Sequence, residues 1–590
     1  MTAVVIKDPI LQNYINNIFV HAFEVLGFDS QLVKVQLSAR PELGQFQCNS
    51  AMPLAKVLKK SPIKIANDIV MQVQKNKIFG RVCAVKSGFI NITLSDEFLA
   101  DWLNNMLKDE RLGCLKTENP LRVIMDFGGP NVAKPLHVGH IRSPLIGDCL
   151  QRVYRFHGDD VLSDIHLGDW GTQIGMLIEE IRKMYPDLSY FDESFTGKYP
   201  KSSPVTVDEL SEIYPRASAC CKENEHEMGK ARLATSELQK GRAGYRALWK
   251  HFVDISITEL RKDYTNLGIY FDLWKGESDV QPRIEKMVVD CFAKKIAEYS
   301  QGAVIIPVAQ DEYDNTPPLI LVKSDGAVMY GTTDLATILE RVENYQAQKI
   351  IYVVDKRQSL HFKQLFAAAE KLGIASKTEL VHIGFGTLNG KDGKPFKTRS
   401  AGVMRLNTLI DEAKSRASLR EQEGLSKAEK LEIIYKVALA TVKFADISNI
   451  YSSDYVFDLD KFSQYEGKTG PYLLYSAVRI KSILRKLGRA MNEIRSDIIK
   501  ASNDAECNLQ LKLTELPQVL QKTYKKCEPH HLCEYIYQVA VKFNKFYVDS
   551  LIISETNKLL KESRIALCQL ALKQLIFVLN LLGIEVPEKM

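Results

Sequence analysis

The spacing of apolar and polar positions divides the 590-residue chain into three stretches. From Ile10 to Leu26 apolar residues recur at helical intervals. A strand-like VKVQL, a glycine-containing turn and the helical NSAMPLAKVLKK come next. Ser87–Ile92 reads as a turn running into a strand, and Ser95 is placed to cap the helix after it. Residues 1–112 therefore predict a small α+β domain. Residues 118–403 behave differently: the short apolar runs LRVIMDF, DDVLSDIH, GAVIIPVA, PLILVKS, KIIYVVD and ELVHIGF alternate with helical stretches. That alternation predicts an α/β domain with a largely parallel sheet and crossover helices, interrupted by a helical insertion near 207–268. From 404 to 590 the strong periodicities are all helical, as in LEIIYKVALATVKFADI and ALCQLALKQLIFVLNLL.

Composition narrows the class of molecule without naming its chemistry. With 45% hydrophobic and 25% charged residues the chain has the make-up of a water-soluble protein. Seventy-eight basic against 72 acidic residues leave +6, a bias that permits a polyanionic partner met through limited patches. The 11 cysteines are scattered, with no CxxC and no zinc-type Cys/His cluster, so free thiols in a reducing compartment are expected and a structural metal is not. The N-terminal MTAVVIKDPILQNYINNIFV lacks the features of a signal peptide. No run approaches 18 uncharged apolar residues, so no membrane span is expected. These observations predict a cytoplasmic protein.

The strongest local signal is LRVIMDFGGPNVAKPLHVGHIRSPLIGD, residues 121–148. A strand ends at Phe127, Gly128-Gly129-Pro130 makes a sharp loop, and His137-Val138-Gly139-His140 is predicted to open a helix running through Ile146. The start of a helix presents free N–H groups and a positive dipole end to an anion. Two imidazoles there can donate to a phosphate, Lys134 adds a full charge, and Gly139 leaves room for a flat ring to approach the backbone. Nucleotidyl transfer needs little more than such donors aimed at charge developing on phosphorus.

HVGH resembles the HIGH signature of class I aminoacyl-tRNA synthetases, and the longer PNVAKPLHVGHIRS is similar to the arginyl-tRNA synthetases, bacterial-like ones in particular. Three differences from the common pattern are Gly128-Gly129, where the family often has two serines, Val138 at the signature's second position, which is common in this family, and the absence of a KMSK tetrapeptide. In place of the last stands the Gly-rich, basic GTLNGKDGKPFKTRSAGV (386–403). Many arginyl enzymes share that divergence, with a lysine just before HIGH substituting for the missing one, and Lys134 stands at that position. The resemblance implies a Rossmann-type catalytic domain flanked by an added N-terminal domain and an anticodon-binding helical domain. It also implies the reaction: arginine and ATP give arginyl-adenylate, and the arginyl group passes to the 3′ end of tRNA(Arg). Mg²⁺ would arrive with ATP.

The same resemblance assigns site residues. His137, His140 and Lys134 would be catalytic, with Gly139, Lys394, Lys397 and Arg399 at ATP. Arginine would be held by Asp126, Asn131, Tyr330, Asp334, Gln358 and Gln173. A planar, permanently charged guanidinium calls for carboxylates, which suits Asp334, one turn from Tyr330 on a predicted helix start. HLGDWGTQIGMLI (166–178) also matches the family, with Trp170 as readily a core residue as a contact. In YEGKTGPYLLYSAVRIKSILRKLGR (465–489) basic residues and tyrosines interleave with no acid between Glu466 and Glu493. Cations for phosphates and rings for unstacked bases suit an RNA loop, and Tyr465, Lys468, Tyr472 and Arg479 are the expected tRNA contacts. The chain is expected to act as a monomer. Two other functions fit parts of the pattern, a nucleotidyltransferase that does not use RNA and a non-catalytic RNA-binding relative. The terminal domains speak against the first, and the intact HVGH with Lys134 against the second.

Overall fold

The computed structural model describes residues 8–40, 42–309, 314–324, 326, 328–394, 404–418 and 424–590. Lys397 and Arg399 lie outside the described residues. The chain forms two compact units, one drawn from Met1–Lys116, Gln422–Ala440 and Gln464–Met590, the other from Thr117–Glu421 and Thr441–Ser463.

The second unit is built on a four-stranded parallel sheet. Its strands lie in the order Glu379–Phe385, Lys349–Asp355, Arg122–Phe127, Asp160–Asp164. In the centre Val123 pairs with Lys349 and Phe127 with Val353. Both central strands are buried on each face, which explains their unbroken apolar runs. After Arg122–Phe127 the chain crosses to one side of the sheet, and after Lys349–Asp355 to the other. The crevice above the ends of these two strands is thus the topological switch point, where ligands bind in open α/β sheets. The insertion folds as helices Val207–Glu223, Glu225–Gln239 and Ala243–Asn266.

In this unit two expectations need correction. GAVIIPVA and PLILVKS are strands (Ala303–Ile306 and Leu319–Val322), but with Glu298–Ser300 they make a separate antiparallel sheet rather than joining the parallel one. Their apolar runs are buried against Leu335, Ile338 and Leu365, and that burial mimics the two-sided burial of a parallel strand. The helix expected from His137 begins at Arg142; Val138–His140 is a single 3-10 turn. His137 and His140 side chains accept backbone N–H groups there, and this capping competes with a regular first turn.

In the first unit an antiparallel sheet, in the order Val35–Leu37, Phe46–Cys48, Ile90–Leu94, Phe79–Ala84, packs with helices Leu11–Val25 and Pro62–Val73. Ser95 caps Asp96–Lys108 as expected, accepting from Phe98 N–H at 3.2 Å. That helix joins the small domain to the helical one: Asn104 exchanges two hydrogen bonds with the backbone of Ile498, at 2.9 and 2.7 Å. The helix Lys558–Leu581 is long and apolar enough by length and composition to cross a membrane, contrary to the expectation that no stretch would qualify. Its most apolar window is 78% buried, as the central helix of this unit. All 11 cysteines are free thiols.

Candidate active site

A cavity of about 590 Å³ opens at the switch point. It is lined by Asp126, Gly128, Gly129, His137, Gly139, His140, His166, Asp334 and Gln358, among others. Gly128 has φ +76°, a conformation that suits glycine, and Tyr264 hydroxyl donates to its carbonyl. A side chain at Gly129 would run into the carbonyls of Ile165 and His166, so the family's two serines are not interchangeable with this pair without a backbone shift.

The two imidazoles stack with ring centres 3.6 Å apart. His140 Nδ1 accepts from His137 N–H at 3.2 Å, and His137 Nδ1 accepts from Gly139 N–H at 3.1 Å. Because both Nδ1 atoms act as acceptors, the proton of each neutral ring is assigned to Nε2. Burial holds both rings below the ordinary histidine range, His140 down to about 3, with His137 and Lys134 adding to the effect there. At neutral pH the pair therefore offers two neutral N–H donors. Lys134 lies outside the cavity lining, its Nζ 4.3 Å from the centre of the Tyr214 ring. Lys394 sits in the turn Gly390–Lys394, where Gly390 N–H donates to its carbonyl, and its side chain does not line the cavity. Lys391 is held by Asp458 and Asp460 at 3.0 and 3.1 Å.

At the opposite end lies a buried charge lattice. Arg341 Nη2 donates to Asp126 at 2.6 Å and to Asp164 at 2.7 Å. Asp126 thus spends one oxygen on a structural ion pair and keeps the other. Burial raises Asp126, whereas Asp164, buried as deeply, is held low by His166 and Arg341. His166 in turn is raised to about 9 by Asp164 against the effect of burial, so it is an imidazolium at neutral pH. Asp126, Asp164 and His166 have ligand atoms close enough to hold a metal, but the Arg341 guanidinium already bridges the two carboxylates.

The helix Tyr330–Glu343 carries Tyr330 and Asp334 one turn apart. Asp334 receives His361 Nε2 at 2.6 Å. Tyr330 is 56% exposed; its hydroxyl and Gln173 Oε1 both border Gly171, 3.3 and 3.4 Å from where a Cβ there would lie. Gln173 Nε2 donates to Asn131 Oδ1 and Gly168 carbonyl at 3.3 and 3.2 Å, which groups Asn131, Gln173 and Tyr330 together; none of the three lines the cavity, although Asp334, one turn from Tyr330, does. Trp170 is core, 2% exposed, with its N–H on Gln281.

Glu277 is the residue that sequence reasoning missed. It stands in the 3-10 turn Glu277–Val280, on a segment that runs alongside Asp164–Leu167. Asp169 holds that turn through Ser278 N–H and Oγ at 3.0 and 2.6 Å. Burial raises the Glu277 carboxyl to about 7, and repulsion from Asp334 adds to the shift. A cation placed between Glu277 and Asp334 would relieve both the repulsion and part of the cost of burial.

In the first unit Thr469 caps the helix Gly470–Lys486, accepting from Tyr472 N–H at 3.3 Å. Lys468 pairs with Glu534 at 2.7 Å, Asn544 donates to Tyr472 hydroxyl at 2.8 Å, and Arg479 lies 4.2 Å over Tyr547. Three of the four expected tRNA contacts thus meet one face of the helix His530–Asp549. The basic face is less bare than its sequence implies: Lys481 is paired with Glu588 and Arg489 with Glu562.

Residues 102–459 match the family described as tRNA synthetases class I (R), catalytic domain. Residues 10–94 match the arginyl tRNA synthetase N terminal domain, and residues 473–590 the DALR anticodon binding domain. An arginine–tRNA ligase of Francisella tularensis subsp. novicida is 51% identical over 586 residues, covering 98% of this chain and 100% of that one. The chain belongs to the arginyl-tRNA synthetases. An arginine–tRNA ligase of Alkaliphilus oremlandii is 49% identical over 96% of this chain and 97% of its own. Among solved structures, the arginyl-tRNA synthetase of Plasmodium falciparum superposes with a TM-score of 0.82 at 26% identity, covering 98% of this chain and 99% of that one. The Thermus thermophilus enzyme shares the fold, with a TM-score of 0.79 at 22% identity, covering 98% of this chain and all of that one. The synthetase is therefore an arginine–tRNA ligase with a class I catalytic domain between an arginyl-type N-terminal domain and a helical anticodon-binding domain.

Proposed function

We propose that the cavity at the switch point holds arginine and ATP end to end, with the amino acid head group read by Glu277 and Asp334. The observation that carries this assignment is the acid pair itself: Glu277, raised to about 7 by burial and by Asp334, neighbours a carboxylate that lines the same cavity as two neutral imidazole donors. A guanidinium between the two carboxyls would return Glu277 to its ionised form and satisfy both with paired N–H donors. Tyr330 walls the slot, while Gln173, Asn131, Gln358 and the free oxygen of Asp126 orient the α-amino and carboxylate groups.

The arginine carboxylate attacks the α-phosphorus of ATP, and the bond to pyrophosphate breaks. His137 and His140 donate through Nε2–H to the oxygens that gain charge, Lys134 completes the cradle, and Gly139 leaves room for ATP to approach the backbone. Lys394, with Lys397 and Arg399, serves the β- and γ-phosphates. Mg²⁺ enters with ATP and needs no protein cage of its own. The terminal hydroxyl of tRNA then attacks the adenylate carbonyl and expels AMP. Tyr465, Lys468, Tyr472 and Arg479 hold the anticodon loop, and bound tRNA is needed before arginine is activated. One chain supplies all these groups, which supports a monomer, and its free thiols support a reducing, cytoplasmic setting.

ATP–pyrophosphate exchange by His140→Ala tests the phosphate assignment. Loss of one preorganised donor is expected to lower kcat about a hundredfold or more. An unchanged kcat would remove His140 from the mechanism.

A further inference from the structure

Tyr214, on the insertion helix Val207–Glu223, is assigned no role by the motifs above. Three observations place it at the site. Its ring carries the Lys134 ammonium at 4.3 Å. It is close enough to Tyr330 to perturb that phenol electrostatically. The same helix holds Arg405, through Asp208 at 3.6 Å and Ser211 at 3.2 Å, and Arg405 is bridged to His137 by backbone pairing. The first half of this helix therefore stands beside Lys134 and the segment paired with His137, just outside the cavity lining.

We infer that Tyr214 is a positioning residue for the nucleotidyl-transfer step, with its ring serving as the seat of the Lys134 ammonium. Among the described residues Lys134 forms no salt bridge. A carboxylate in Tyr214's place would neutralise the lysine and occupy its N–H donors. An aromatic face instead attracts the ammonium through the ring quadrupole and leaves its donors available. The lysine stem thus stays ordered beside His137 and His140, and its charge remains available for phosphate. A short swing off the ring delivers the ammonium to the cavity that it does not line at rest. Without the ring, ordering of a long, flexible side chain falls on the transition state.

This inference rests on the assignment of Lys134 to phosphate, and the experiment separates the two. ATP–pyrophosphate exchange is measured for Tyr214→Phe, Tyr214→Leu, Lys134→Met and the double variant Tyr214→Leu/Lys134→Met, with enough enzyme to read residual rates. The expected result is kcat reduced about three- to tenfold in Tyr214→Leu with KM for ATP nearly unchanged. Tyr214→Phe, which keeps the ring, is expected to match wild type, and Tyr214→Leu to cost nothing further once Lys134 is gone. A Lys134→Met enzyme as fast as wild type would overturn the Lys134 assignment itself. If Lys134→Met is slow but Tyr214→Leu is normal, if Tyr214→Phe is as slow as Tyr214→Leu, or if the two losses multiply in the double variant, the inference about Tyr214 falls alone.

Discussion

Glu277→Gln isolates the charge proposed to read the substrate. The substitution keeps the shape of the side chain and removes its ability to become an anion. A hydrogen bond to a charged partner contributes roughly 1.5–3 kcal/mol, so KM for arginine at pH 8 is expected to rise about 10- to 150-fold. The raised carboxyl makes this penalty depend on pH. With Glu277 at about 7, the free enzyme carries it roughly nine-tenths ionised at pH 8 and one-tenth ionised at pH 6. Only the ionised form meets the guanidinium, so wild-type affinity falls nearly tenfold from pH 8 to pH 6 as the competent fraction shrinks. The variant has no such group and stays flat, so the gap between the two closes by about the same tenfold. The assay is KM for arginine in tRNA-supported pyrophosphate exchange at both pH values, checked by calorimetric binding in buffers of different ionisation enthalpy, where wild type releases protons on binding. An equal loss at both pH values, or a loss confined to kcat, would refute the reasoning.

Three further outcomes are expected. His166, raised to about 9, contributes stability that is fully present below its unfolded value near 6.5 and is lost as pH rises through 9, about 3 kcal/mol in all; thermal inactivation should accelerate across that window in wild type and lose the dependence in His166→Asn, while Arg341→Met, which strands Asp126 and Asp164 together, should cost about 3–5 kcal/mol at neutral pH. Replacing Tyr472 by Leu should raise KM for tRNA about tenfold in aminoacylation through loss of a stacking face, and should leave calorimetric binding of arginine unchanged.

The site was legible wherever its signal was local. HVGH, Lys134 and the strand before them lie within 28 consecutive residues, and Tyr330 with Asp334 occupy one helical turn. Arg341 lies on the same helix, yet its partners Asp126 and Asp164 are 215 and 177 residues away, so nothing nearby marks it as buried. Glu277 was illegible for a related reason. In sequence it is one acid in the polar turn KGESD, and only the pairing of its segment with Asp164–Leu167 carries it toward Asp334. The antiparallel sheet was misassigned because apolar runs report burial and not strand direction. The length of the basic helix was readable, but the acids that neutralise part of it come from Glu534, Glu562 and Glu588, far along the chain.

The central claim is that two half-buried carboxyls, Glu277 and Asp334, select arginine by its charge. Citrulline has nearly the same shape, but a neutral urea with a carbonyl oxygen replaces the guanidinium. The direct test is pyrophosphate exchange by the wild-type enzyme with saturating tRNA and either arginine or citrulline. At pH 8, where Glu277 is mostly ionised, the carboxyl pair would face that oxygen without a donor, so kcat/KM for citrulline should be lower there by about 10⁴-fold or more. Exchange with citrulline within about tenfold of that with arginine would contradict the account, because it would mean that shape and not charge makes the choice.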